Sequence, residues 1–166
     1  VLRIPEDVLT FAQGRFDIPD DERSQQNALD IGQVLFKSIV KEERWKYLDT
    51  IFVEGHTDPV PYRNQSIKGN WGLSTFRAIS VWNYWNQEMD EGTRLDALTN
   101  HVGKKLFSVS GYAETRPVPC SIRSTEIVDS SFCPDGVMND DESLRKNRRI
   151  DIRFTVRRPA LEDYQS

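Results

Sequence analysis

Ile150, Ile152, Phe154 and Val156 alternate with Asp151, Arg153 and Thr155, the clearest period-two pattern in the chain, and predict a half-buried final strand. Two shorter apolar runs, Leu48 to Glu54 and Leu106 to Gly111, read as strands, and Leu2 to Leu9 as an opening strand turned by Pro5. Between them the period changes. Ala28, Ile31, Leu35 and Ile39 recur at helical spacing after Pro19 and the acidic pair Asp20-Asp21, a helix start. A second helix is expected from Asn70 to about Glu88, with Ala78, Val81, Trp82 and Trp85 at helical spacing. The order β-α-β-α-β-β predicts a two-layer α/β sandwich with the helices on one face of a mixed sheet. Trp82 and Trp85 are assigned to core packing, and Trp71 either to the core edge or to a groove.

The chain has 166 residues, enough for one domain with a sizeable core. Charged residues are 29% of it, yet the net charge is only -4, so composition forces no basic patch and argues against nucleic acid as a partner. The apolar stretch Ile31 to Val40 is broken by Gly32, Gln33, Lys37 and Ser38, short of the ~20 apolar residues a membrane helix needs. The chain lacks an initiator Met and opens inside an expected strand, so it reads as a fragment of a longer protein.

The candidate chemistry sits where the second strand meets the second helix. Gly55-His56-Thr57-Asp58 ends the strand, and Asn70-Trp71-Gly72-Leu73-Ser74-Thr75-Phe76-Arg77-Ala78 opens the helix, carrying Arg77 about two turns in. A carboxylate and a guanidinium at one junction suit a zwitterionic ligand. Arg grips a carboxylate with two parallel hydrogen bonds and keeps its charge at neutral pH, and amides at the helix start near Asn70 add donors for the same anion. An internal ion pair between the two is the bland alternative. His56 is expected to hydrogen-bond backbone and to have no catalytic duty. Glu54 and Glu114 lack the paired-carboxylate setting of a glycosidase, and no Ser-His-Asp or Cys-His pattern has supporting context. Cys120 and Cys133, with His56 and His101 far off in sequence, fall short of a zinc set. A non-enzymatic binding module without cofactor or metal is the expectation.

The GHTD run with N-x-x-L-S-x-x-R-A resembles the peptidoglycan-binding domain of the OmpA/MotB family, whose members carry both segments in this order. Pro61 with Asn70-Trp71, then Gly111-Tyr112-Ala113-Glu114 with Arg116-Pro117-Val118, resembles the stator-subunit branch; Asn147-Arg148-Arg149-Ile150 resembles its closing strand and Val1 to Pro5 its opening one. The resemblance spans residues 1–156 in family order, leaving 157–166 as an expected flexible tail. It implies that Asp58 binds the ammonium of diaminopimelate and Arg77 its carboxylate, that Thr57, Asn70 and Leu73 shape the pocket, and that Asn147 and Arg148 stand at its rim. It also implies a homodimer, a channel-forming A subunit reached through a preceding membrane helix, and a periplasmic domain of an inner-membrane protein. Departures lie at Ala113, where the family has glycine, at Phe76, and at Tyr84 and Trp85, whose bulk suggests a helix held further from the sheet.

Residues 118–144 interrupt the family pattern with a run rich in Ser, Asp, Pro and Gly, an expected surface loop. Given the periplasmic setting the resemblance implies, Cys120 and Cys133 are expected to form a disulfide, worth about 3 kcal/mol for so short a loop. Within the stator branch, flagellar MotB and the B subunit of a Zorya anti-phage motor are both open, and the cysteine-bearing insertion favours the Zorya type. A passive outer-membrane lipoprotein or porin tail is the rival, opposed by the long Pro61-to-Asn70 spacing; a wall-peptide hydrolase finds no nucleophile or metal to support it.

Overall fold

The computed structural model describes residues 1–4, 8–9, 11, 14–118 and 141–159. Four strands and three helices follow in the order β1 (Leu2–Ile4), α1 (Glu22–Val40), β2 (Leu48–His56), α2 (Gly69–Glu88), β3 (Phe107–Gly111), α3 (Asp141–Asn147) and β4 (Arg149–Val156). The sheet order is β1-β4-β2-β3: β2 and β3 run parallel, and β4 is antiparallel to both β1 and β2. This is the expected mixed α/β fold, with α3 added.

Three boundaries differ from the sequence reading. The opening strand ends by Ile4, and Val8 and Leu9 lie in a turn and a bend, although Leu9 is still buried. The second strand runs on to His56. The expected loop 118–144 closes in a helix that starts at Asp141; Cys120 and Cys133 lie outside the described residues.

Helix α1 starts where Asp21 accepts a 2.9 Å hydrogen bond from the Ser24 amide, satisfying one of the donors a helix start leaves open. That bond holds the Asp21 carboxyl below its ordinary pKa. Ala28, Gly32, Leu35 and Ile39 form its buried stripe, while Ile31 is only half-buried. Val81 and Trp85 of α2 bury against Ile51, Val53, Ile150 and Ile152, so both helices cover one face of the sheet. Trp85 is fully buried, and its indole N–H donates 2.7 Å to the Ala28 carbonyl, tying α2 to α1. Trp82 stacks on Phe107 at 5.2 Å. Both tryptophans are packing residues, as expected, whereas Trp71 is half exposed and covers no core.

The expected separation of α2 from the sheet is not found at its first turns. A Cβ on Gly55 would lie 1.9 Å from the Ser74 carbonyl oxygen, and one on Gly111 would lie 2.2 Å from Thr75 Oγ1. Only glycine lets the helix start press so closely on β2 and β3. The bulk of Tyr84 and Trp85 is taken up a few turns later, against α1.

The opposite face of the sheet is polar and also largely buried. Glu54 pairs across strands with Asp151, His56 with Arg149, and Phe52 with Arg153. Arg149 Nε and Arg3 Nε both reach Asp151, at 3.1 and 3.3 Å, and Arg153 Nε donates 2.6 Å to Glu54. A period-two pattern shows two unlike faces; it does not show that the polar one is wet.

Candidate functional site

Strand β2 delivers Thr57 and Asp58 at its carboxyl end, and the Thr57 amide donates 2.9 Å to the Ala113 carbonyl, joining this edge to the end of β3. Ala113 has φ +49, the left-handed region, where glycine is at home. Its amide is fixed to Ser74 Oγ at 3.0 Å, so α2, β2 and the turn after β3 meet at one point.

A cavity of about 340 Å³ opens beside this junction, lined by Thr57, Asp58, Val60, Pro61, Tyr62, Asn70, Leu73, Arg77, Leu144, Arg148 and Gly14. Six of the seven expected binding residues therefore share one cavity. Asn147 is the exception: it is buried, and its side-chain oxygen accepts a 2.8 Å hydrogen bond from the Val118 amide, so it clamps the chain after β3.

Asp58 is nearly buried. Its Oδ1 accepts 3.0 Å from the Val60 amide, and its Oδ2 accepts 2.7 Å from Arg148 Nη1. The ion pair at Asp58 is thus made from the β4 side. Arg77 is 2% exposed; its Nε donates 3.0 Å to the Arg15 carbonyl and its guanidinium lies 5.1 Å from the Phe11 ring centroid. The Arg15 carbonyl and the Phe11 ring thus hold this cation at the cavity wall. Two guanidiniums and one carboxylate line the space, an excess of positive charge that suits a ligand bearing more acid than base.

Asn70 organises the loop that roofs the cavity. Its Oδ1 accepts from the Tyr62 amide at 3.0 Å, and its Nδ2 donates 3.1 Å both to the Val60 carbonyl and to Glu114. Tyr62 in turn donates from its hydroxyl to the Gly14 carbonyl at 2.9 Å, closing the roof onto the N-terminal loop. Sequence reasoning missed Tyr62, Gly14 and Leu144, which sit in loops or a short helix without periodicity. Phe76 packs against Phe16 with the rings tilted by 36° and their centroids 5.3 Å apart, and it lies outside the cavity lining.

His56 departs from its expected role. It is 1% exposed, and neither ring nitrogen has a hydrogen-bond partner among the described residues, so it does not bond backbone. It stacks on Tyr112 at 5.5 Å, with Nε2 3.5 Å from Asp151 Oδ2. Burial, then the Arg149 charge, pushes its pKa down to about 4 against the opposing pull of Asp151. Asp151 already holds Arg149 and Arg3, so the imidazole is neutral near pH 7 and the contact is no ion pair. Among the described residues no cluster of three or more His, Cys, Asp or Glu could hold a metal, and no helix is long and apolar enough to cross a membrane.

Residues 10–119 match the OmpA family. The chain belongs to that family. Over 110 residues it is 37% identical to Motility protein B of Bacillus subtilis, a span that is 66% of this chain and 31% of that protein, so the chain represents under a third of the length of the relative it matches. The fold is that of the periplasmic domain of Helicobacter pylori MotB: TM-score 0.61 at 18% identity, over 98% of this chain and 80% of the other. The cell wall anchor of the Pseudomonas aeruginosa T6SS is similar too, with a TM-score of 0.56 at 22% identity over 93% of this chain and 80% of that one. Homology to a motility protein supports the MotB-like branch.

Proposed function

We propose that the domain binds peptidoglycan through the zwitterionic end of diaminopimelate and catalyses nothing. The observation that carries the reading is the placement of Asp58 and Arg77 on one cavity of about 340 Å³ at the β2–α2 junction. Asp58 receives the ammonium and Arg77 the carboxylate, with Arg148 completing the positive side; Thr57, Asn70 and Leu73 set the shape, and Asn147 acts at second hand by fixing Val118. The P. aeruginosa cell wall anchor shares the fold, which is the fold such attachment uses.

In the cell the domain serves as the periplasmic wall anchor of an ion-driven stator, dimeric and joined to a membrane channel subunit through a preceding segment. The motility relative supports a stator; the cysteine-bearing stretch 118–144 favours a Zorya-type defence motor over a flagellar one. Phage plating and swimming assays of the full-length gene separate the two.

Co-sedimentation with purified sacculi tests the site. Arg77 is a buried packing residue, so Arg77→Lys, which keeps the charge and loses the fork, is the informative change, together with Asp58→Asn, which keeps an acceptor for the Val60 amide. Both variants should pellet at least tenfold less protein while retaining native circular dichroism. Pelleting of both at the level of the parent protein sinks the assignment.

A further inference from the structure

The strand β3 forms one margin of the sheet, with β2 on its inner side and no described strand on its outer side. The bonds from the Ile51 amide to the Leu106 carbonyl and from the Tyr112 amide to the Gly55 carbonyl fix its alternation: even-numbered residues turn their peptide groups inward, while Phe107, Val109 and Gly111 turn theirs outward. β1, at the other margin, has three residues and carries Arg3, whereas β3 alone among the described strands has no charged residue. An edge without charge, proline or bulge is a template for a further strand. A cavity of about 390 Å³ lies beside it on the helix side of the sheet, lined in part by Trp82, Leu95, Leu98, Phe107 and Val109. Charge at this end is one-sided. The Asp96 carboxylate is held by Arg94 at 2.6 and 3.1 Å, while Lys104 and Lys105 stand exposed just before the strand. Lys105 Nζ reaches only the Asp96 carbonyl, at 2.7 Å, which leaves its charge unneutralised there.

We propose that the β3 edge takes an extended segment of a different protein, added antiparallel to the sheet, with apolar side chains at alternate positions and acid at its C-terminal end. Each feature of that occupant answers an observation. The outward N–H and C=O groups of Phe107, Val109 and Gly111 recur every second residue, the spacing that another main chain complements. Phe107 and Val109 pair with Ile51 and Val53, so their side chains lie on the helix side, and residues set across from them enter the apolar cavity. The residues between lie across from Ser108 and Ser110 and are free to be polar. In the antiparallel direction the segment ends beside Phe107, where Lys104 and Lys105 favour a carboxylate. The inference is independent of the ligand reading, since none of these residues lines the Asp58 cavity.

Fluorescence anisotropy with a synthetic probe gives the test: a labelled, N-acetylated peptide that alternates leucine with threonine and ends in two aspartates. It should bind the 166-residue chain saturably, and about tenfold more tightly than the same peptide ending in two lysines. Lys104→Glu combined with Lys105→Glu should reverse that preference, a gain that a misfolded variant does not give. Val109→Pro removes an outward N–H and no bond to β2, so it should abolish probe binding while circular dichroism and sacculus pelleting stay at the level of the parent protein. Amide exchange should slow on probe binding at Phe107, Val109 and Gly111 and stay unchanged at Ser108 and Ser110, which bond β2 in either state. Absence of saturable binding, or an unchanged preference in the double variant, overturns the proposal. So does protection of the same three amides that rises with protein concentration in the absence of probe, since it gives the edge to a second copy of the chain.

Discussion

Acid should unfold this domain partly through one residue, His56. In the unfolded chain its imidazole titrates near the ordinary 6.5; in the fold, burial and Arg149 bring it down to about 4. A base with a lowered folded pKa binds fewer protons folded than unfolded between those two values, so stability must rise with pH across the window. The contribution is fully present above pH 6.5, falls as pH drops, and is exhausted below about 4. Each tenfold loss of proton affinity on folding corresponds to about 1.4 kcal/mol, which puts the whole effect at about 3 kcal/mol. Exposure of 1% leaves little solvent screening to discount. Carboxylates in general protonate at the acid end as well, so the measurement has to be a difference. His56→Phe keeps a ring against Tyr112 and removes the titration; it also removes an imidazole N–H that has no partner among the described residues, so at pH 7.5 it should lie within about 1 kcal/mol of the parent. Urea unfolding of both proteins from pH 7.5 to 4 should then show the parent losing about 3 kcal/mol more than the variant. A stability difference that stays flat through the window would refute a neutral, desolvated His56.

Two further changes probe the backbone that sets the site. Gly55→Ala places a methyl against the Ser74 carbonyl and should cost about 2–4 kcal/mol in urea unfolding, with weaker sacculus binding because α2 carries Asn70 and Arg77; Gly92→Ala, which meets nothing within 4 Å, is the neutral control. Lys68 stands exposed in the left-handed region at φ +61 just before α2. Lys68→Gly relieves that strain at some cost in chain entropy and should stabilise by about 0.5 kcal/mol, read as a raised urea midpoint; a lowered midpoint contradicts the strain argument.

The elements that were legible in the sequence are those whose burial is one-sided and apolar. Ile150 and Ile152 in β4, Ile51 and Val53 in β2, and Ala28, Leu35 and Ile39 in α1 mark their faces because one face meets the core and the other differs from it. The helix α3 was not legible, for its seven residues carry a single apolar side chain, Leu144, and are too few to show a period. Nor was the burial of Glu54, Arg149 and Asp151, since a strand with charged residues on alternate positions looks the same whether those charges face water or one another.

The candidate site divides along the same line. Asp58 and Arg77 lie on one continuous strand–loop–helix unit, so the motif sets them at one junction, while their sharing of a cavity comes from the fold. The partner of Asp58 is a matter of sheet register. With His56 opposite Arg149 in antiparallel pairing, the residue before Arg149 falls beside the two residues after His56, which is why Arg148, 90 positions away, reaches the Asp58 carboxylate. Asn147, one residue further back, turns to the Val118 amide. A slip of one residue in that register would exchange their faces, placing the amide in the cavity and the cation on the clamp. The excess positive charge of the cavity is therefore written in the β2–β4 pairing as much as in the motif that announces it.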